Sequence, residues 1–325
     1  MRPFIFTKPA TADQALIKKT NQAQFIAGGT NLLDLMKKHI ALPEELLDVT
    51  NALPAAITAN TKGIRIDAMV RNSAIASQAE VLSQFPLLAK AVLAGASPQI
   101  RNMASTAGNL LQRTRCPYFY DTTVPCNKRI PGTGCSAMDG DNRMSAIVGY
   151  SNQCVAVHPS DMCIALAALE ANVLVTGRDK KQHSIPFKDF HRLPGTTPQL
   201  DNNLPANAVI TAVEIPGNRF QKNFAYVKVR DRDSYAFALI SVAAALHMEA
   251  GVISEARLAS GGVAHKPWRW YKAEQFLKGK KPSAENFRQA ASIAVGETKP
   301  LANNKFKTVM LQGAIETALQ NCLTA

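Results

Sequence analysis

Six cysteines are present; Cys116, Cys126, Cys135, Cys154 and Cys163 crowd between residues 116 and 163, and Cys322 stands alone near the end. Thiolates can ligate zinc or an iron–sulfur cluster, pair as disulfides, or remain as buried free thiols. Cys163 lies in HPSDMCIALAALEA, where apolar neighbours at helical spacing make it a core residue, and Cys322 has the same reading in a final helix. The other four stand in polar, Pro/Gly-rich sequence that begins RCPYFYDTTVPCNKRIPGTGC and cannot bury itself. Their gaps are 9, 8 and 18 intervening residues. A structural zinc site usually contains a short CxxC step, whereas a four-thiolate cluster tolerates longer gaps when the fold positions its ligands. Disulfides would suit an oxidising compartment. On the residues alone these uses stay open.

Two glycine loops offer a second chemistry. In FIAGGTNLLDLMKK, Gly28 and Gly29 sit at a strand-to-helix junction, where they let the backbone bend and aim N–H groups at one anion. The following helix adds the positive end of its dipole. RNMASTAGNLL supplies another such nest: Ser105, Thr106 and Asn109 are short and polar, and Gly108 permits close backbone approach. Neither loop is a GxGxxG or a Walker A motif. Taken singly, each reads equally well as a structural turn. Together, in successive α/β units, they suit a long dinucleotide lying between two subdomains.

The elements that would hold these loops follow from periodicity and caps. Thr11 and Gln14 form a capping-box signature for a helix over 12–20, AQFIA is a short strand, NLLDLMKK is helical, and ELLDVT is a strand. GIRIDAMV opens a second unit, with helices near 73–80 and 86–95. Beyond the cysteines, a helix capped at Ser160 leads into a strand, residues 178–207 read as a polar connection, and VITAVEIP is a strand. From residue 224 the texture changes to alternating strands over 224–230, 236–248 and 252–260, followed by helices near 270–278, 283–295 and 307–322. The expected domains are 1–57, 58–221 and 222–325, with a cysteine-rich insertion at about 112–156 in the second.

The formal charge of +13, from 37 basic and 24 acidic residues, invites a nucleic-acid reading. The charges are scattered and no basic tract is interleaved with aromatics, so that reading is set aside in favour of an anionic ligand or an acidic partner. No apolar stretch is long enough for a membrane span. The opening MRPFIFTKPATADQALIKK has no apolar h-region, so no signal peptide of its own is expected.

AGGTNLL (27–33), ASTAGNLL (104–111), HPSD (158–161) and KVRDRDSYAFA (228–238) resemble, in order and spacing, the FAD-binding subunits of the molybdenum hydroxylase (xanthine dehydrogenase) family. The resemblance covers essentially the whole chain and is strongest to the medium subunits of bacterial molybdenum-dependent aldehyde oxidoreductases. It implies an α+β chain: a PCMH-type (vanillyl-alcohol-oxidase-like) FAD-binding domain of two α/β subdomains, then a C-terminal α+β domain with a three-stranded antiparallel sheet. Ile26, Ala27, Gly28, Gly29, Thr30, Asn31 and Leu32 would wrap the FAD pyrophosphate and ribityl region. Ser105, Thr106, Gly108 and Asn109 would form the second cofactor loop. Asp161 would sit near the adenosine or ribityl hydroxyls and Lys228 near the isoalloxazine ring.

A subset of the family carries a 4Fe-4S cluster in an insertion at this point, which implies Cys116, Cys126, Cys135 and Cys154 as its ligands. The implied function is electron transfer. A large molybdenum-cofactor subunit oxidises an aldehyde, a small subunit with two 2Fe-2S clusters relays the electrons, and FAD on this chain passes them to an external acceptor. The assembly would be at least a heterotrimer. Aldehyde oxidoreductases of this kind imply co-export to the periplasm with a signal-bearing partner, the cytoplasm being the alternative. Rival readings are a related molybdenum hydroxylase acting on aromatic or N-heterocyclic substrates, and a self-contained PCMH-class flavin oxidase. The latter usually has a covalent-flavin histidine, and none lies near Thr30–Asn31.

Overall fold

The computed structural model describes residues 1–324. Three short strands, β1 (Ile5–Thr7), β2 (Ala23–Ile26) and β3 (Glu45–Asp48), form an all-parallel sheet in the order β1-β3-β2. Parallel neighbours need crossovers, and helices Ala12–Lys18 and Leu32–Lys37 supply them. Thr11 caps the first helix as expected, its hydroxyl accepting the Gln14 N–H at 3.2 Å; Gln14 Oε1 accepts in return from Ala10 N–H, one residue before the cap.

The second sheet is antiparallel and built from β4 (Ile57–Asn60), β5 (Gly63–Asp67), β6 (Asn172–Gly177), β7 (Gln182–Pro186) and β8 (Ala208–Pro216), in the order β4-β5-β8-β6-β7. Between β5 and β6 the chain makes several short helices and the cysteine-rich stretch, so everything that carries the site hangs between two strands that both pair with β8. The polar connection expected over 178–207 contains edge strand β7 and a one-turn helix, Phe187–Phe190. β7 is almost wholly exposed, so it lacks the alternation that marks a half-buried strand.

The third sheet, β9 (Phe224–Val229), β10 (Ile240–Glu249), β11 (Val252–Gly261) and β12 (Trp268–Arg269), is antiparallel in the order β12-β11-β10-β9. It has four strands rather than the expected three, because the two-residue β12 is too short to leave a periodic signal. The strand expected from 236 begins at Ile240. Seven successive residues of β10 are buried because both faces are covered. Val242, Ala244 and Leu246 pack into the core under helices Tyr271–Leu277, Ala284–Val295 and Phe306–Asn321. Ala243 and Ala245 face the core of the first two sheets, where small side chains admit helix Asp161–Ala168.

Lys307 locks the cysteine-bearing stretch to this third unit. It is fully buried, and its Nζ donates to Ser145 O at 2.9 Å, to Met144 O at 3.4 Å and to Gly262 O. Lys307→Met leaves these buried carbonyls without their donor and should destabilise the chain by about 1–3 kcal/mol, read by urea unfolding. Burial pushes the amine from the ordinary 10.5 down to about 7. Between about 7 and 10.5 the unfolded chain binds the extra proton, so wild-type stability should rise with pH relative to Lys307→Met. Below about 7 both states are protonated and the difference should be flat. Among the described residues no helix is long and apolar enough to cross a membrane.

Candidate cofactor cleft and thiol cavity

A cleft of ≈ 1160 Å³ opens between the first two units and is closed on one side by β9 and the loop after it. Small-molecule sites usually occupy about 300–1,000 Å³, so this one suits an extended ligand. Ile26, Ala27, Gly28, Gly29, Thr30, Asn31 and Leu32 all line it. β2 delivers the loop, Gly29 turns it with φ +69°, and the Gly29 carbonyl accepts the Leu33 N–H at 3.0 Å. Gly28 meets the second loop directly, since a Cβ there would lie 2.0 Å from Met103 O. Asn31 Oδ1 accepts the Arg113 N–H at 2.9 Å, while its buried Nδ2 has no partner among the described residues. The helix that follows is six residues long, so backbone N–H groups matter more here than a macrodipole.

Ser105, Gly108 and Asn109 line the opposite wall. Ser105 caps a short helix, its Oγ accepting the Gly108 N–H at 3.2 Å. Thr106, expected beside them, does not line the cleft; it is buried and its hydroxyl donates to Val70 O at 3.0 Å. Asn109 Oδ1 accepts from Ser160 Oγ, which also caps the helix beginning at Asp161 by accepting the Cys163 N–H at 3.1 Å. The two loops are thereby fastened to each other and to that helix.

Asp161 and Lys228 also line the cleft, but as partners of each other. Lys228 Nζ is 2.8 Å from Asp161 Oδ2 and donates to Ala94 O, and Asp161 Oδ1 accepts from the Tyr226 hydroxyl at 2.7 Å. Both side chains are almost completely buried. Whatever each contacts in the cleft, the two form one compensated ion pair at its wall. Burial and then the Asp161 charge push the Tyr226 hydroxyl well above the ordinary value of 10.0, so it stays a donor.

Sequence reasoning missed the cations of the cleft. Arg101, Arg113, Arg115 and Arg143 all line it. Arg115 bonds the Tyr120 hydroxyl, stacks 5.0 Å from the Phe237 ring and keeps a buried, unpartnered Nε. Arg143 is held bidentate by Asp231 at 2.9 and 2.7 Å. Isolated arginines leave no periodic signal, though their clustering around the cysteines was visible. They give the basic surplus a local use beside an anionic ligand.

Cys116, Cys126, Cys135 and Cys154 line one small internal cavity together with Phe119, Lys128 and Ala156, whereas Cys163 and Cys322 lie elsewhere. Cys116 and Cys135 precede one-turn helices, Pro117–Tyr120 and Ser136–Asp139, and Cys126 bridges Cys135 across an isolated antiparallel contact. Asn127 ties the pieces together: its Nδ2 donates to Gln153 O at 3.1 Å and its Oδ1 accepts the Gly134 N–H at 2.8 Å. Burial pushes the Cys116 thiol up to about 11 and the Cys154 thiol up to about 12. Lys128 donates to Pro198 O and pairs with Asp201. Burial works against the Asp201 charge, but Lys128 and Arg113 hold its carboxyl well below the usual range. A further cavity of ≈ 150 Å³ adjoins both regions, walled by Cys116 and Ala156 on the thiol side and by Arg115, Asp161 and Phe237 on the cleft side.

Two family profiles divide the chain: the FAD binding domain in molybdopterin dehydrogenase matches residues 2–218, and the CO dehydrogenase flavoprotein C-terminal domain matches residues 224–322. The chain is 43% identical to the aldehyde oxidoreductase FAD-binding subunit PaoB of Escherichia coli (strain K12), over 98% of each chain. It is 24% identical to the carbon monoxide dehydrogenase medium chain of Hydrogenophaga pseudoflava, covering 92% of this chain and 88% of that one. The carbon monoxide dehydrogenase structure from the same organism superposes with a TM-score of 0.77 at 23% identity, covering 99% of this chain and 98% of the other. Quinoline 2-oxidoreductase from Pseudomonas putida 86 shares the fold at the same TM-score of 0.77 and 20% identity. With its glycine loops, cleft and near-full-length match, the chain belongs to the FAD-binding subunits of the molybdenum hydroxylase family and is an oxidoreductase subunit.

Proposed function

We propose that this chain is the FAD- and 4Fe-4S-containing electron-transfer subunit of a molybdenum-dependent aldehyde oxidoreductase. It would receive electrons from 2Fe-2S clusters on a small partner subunit and deliver them to an external acceptor, with substrate oxidation on a large molybdenum-cofactor subunit. The observation that carries the aldehyde reading is the 43% identity, over 98% of both chains, to a subunit named for that activity.

The residues fit the groups this reading requires. Bound FAD supplies the junction between single-electron donors and a two-electron acceptor. The chain supplies the cradle: the bare Cα of Gly28 keeps the two loops in contact, and the unpartnered Asn31 Nδ2 is a donor awaiting an acceptor. Arg101 and Arg115, which have no carboxylate partner among the described residues, offset pyrophosphate charge, whereas Arg113 and Arg143 are already paired with Asp201 and Asp231; the Lys228–Asp161 pair fixes the wall beside β9.

Four thiols lining one small cavity are the donor set that a four-thiolate cluster takes. Free thiols raised by burial are protonated near neutral pH, so ligation must release protons.

The test is aldehyde-dependent bleaching of flavin absorbance in the purified complex. Bleaching should require the molybdenum-cofactor subunit. Reduction of the isolated chain by aldehyde would overturn the proposal in favour of a self-contained flavin oxidase.

A further inference from the structure

Cys163 reads in the sequence as a bland core residue, yet two histidines distant in the chain converge on it. One potential ligand atom each from His158, Cys163 and His191 lie within 4.8 Å of one another, the only such trio among the described residues. All three are buried, with exposures of 7%, 0% and 3%. His158 follows the cysteine-rich stretch, Cys163 sits in the first turn of helix Asp161–Ala168, and His191 follows the Phe187–Phe190 turn. The two imidazole centroids are 4.4 Å apart.

The hydrogen bonding leaves ligand atoms over. His191 Nε2 lies 2.9 Å from the Leu110 carbonyl, which can only accept, so Nε2 carries the proton and Nδ1 presents its lone pair. That Nδ1 is buried and has no partner, and His158 Nε2 is in the same state. Buried polar atoms are nearly always paired, and a backbone carbonyl that fixes the tautomer is the outer support of metal-bound histidines.

We propose that His158, Cys163 and His191 form a metal site, separate from the four-cysteine cavity, that takes one thiophilic d10 cation, Zn²⁺ or Cu⁺. Two imidazoles and one thiolate are the soft and borderline donors such ions select. Burial lowers both histidines, His191 to about 4, so they enter as neutral ligands. Burial also raises the Cys163 thiol to about 12. Binding therefore forms a metal–sulfur bond, breaks the S–H bond and releases one proton to solvent, with no change of oxidation state. Cu⁺ would leave the centre electrically neutral and Zn²⁺ would leave it singly positive. Metal–donor distances of about 2.0–2.3 Å ask the three side chains to close by about 1 Å. The ion would brace the flavin cleft, since His191 holds Leu110 at the end of the second loop and Cys163 lies in the helix capped by Ser160.

The experiment is elemental analysis of the full chain purified with its partners, loaded in separate arms with Zn²⁺ and, anaerobically, with Cu⁺, then desalted. Metal and iron are compared between this chain and its variants within the same complex, so that partner-bound metal cancels. The expected result is about one extra equivalent in one arm, with sulfur in its X-ray absorption shell at about 2.3 Å. Cys163→Ser and His191→Gln should each weaken retention by about tenfold or more, with iron content unchanged. Two results would overturn the site: wild-type protein that retains no such metal in either arm, or metal that survives both substitutions. The first is read on unmodified protein and so does not depend on a variant folding. Because iron is measured in the same sample, failure of this site is distinguishable from failure of the 4Fe-4S assignment.

Discussion

Gly28→Ala should give a chain that folds but purifies with little flavin. The added Cβ would stand 2.0 Å from Met103 O and 2.7 Å from Met103 C, and both are backbone atoms. That backbone has little room to retreat. Met103 O also accepts from the Arg71 guanidinium, Ala104 N–H bonds Ile100 O at 2.8 Å, and Ala104 O accepts the Asn72 N–H at 3.0 Å. The loops must therefore part where the cleft is narrowest. Overpacking of this kind costs about 1–3 kcal/mol, which at the cofactor loops corresponds to about 5- to 150-fold weaker flavin retention. Gly29→Ala is the control: it adopts φ +69° at some strain, but its Cβ meets side chains rather than backbone, Leu33 Cδ1 at 2.9 Å and Cγ at 3.2 Å and Ile26 Cδ1 at 3.5 Å. The ratio of flavin absorbance to protein, with thermal unfolding alongside, separates the two variants. Full flavin content in Gly28→Ala would show that this contact does not shape the cleft.

How much of this was legible in the sequence depends on whether the signal was local. Caps at Thr11 and Ser160 and the strand–glycine–helix order around Gly28 depend on residues a few positions apart, and the structure has them where the pattern puts them. Ser105 and Thr106 are equally polar in the sequence, yet one lines the cleft and the other turns inward to Val70, because one residue of helix start reverses direction. The Asp161–Lys228 pair closes across 67 residues, and no spacing rule reveals a partner at that range. Strands β7 and β12 were invisible for a different reason: one is exposed on nearly every side chain and the other is two residues long. The four cysteines stood apart in the sequence by their polar, Pro/Gly-rich surroundings, and their reading as one ligand set came from the family resemblance. Their arrangement depends on Asn127, which nothing in the sequence distinguishes from any loop asparagine.

That dependence sets up the other large effect. On the proposed 4Fe-4S reading, Cys126→Ser should remove about four irons per chain, the content of one four-thiolate cluster, whereas Cys322→Ser, in the final buried helix turn, should keep them all. Cys126 is tied into the surrounding loops on both sides. It faces Cys135 across the isolated bridge, its N–H bonds Thr133 Oγ1 at 3.1 Å, and its carbonyl accepts from Arg129 and Ile130. Arg129 in turn holds the carbonyls of Tyr118 and Phe119 beside Cys116. These hydrogen bonds surround the cavity but bury little apolar surface; the apolar cluster there is confined to Leu35, Phe119 and Cys126 with a few half-buried neighbours. Ordering such a segment costs about 1–2 kcal/mol per residue in backbone entropy, and the polar contacts offset only part of it. Loss of the cluster should therefore open residues 116–154 to limited proteolysis while flavin stays bound to the glycine loops, which draw on the separate core of the first two sheets. Iron and flavin are measured on the same sample, so the outcomes separate cleanly. Unchanged iron in Cys126→Ser removes it from the ligand set, and loss of flavin together with iron shows that the thiol cavity and the cleft fold as one unit.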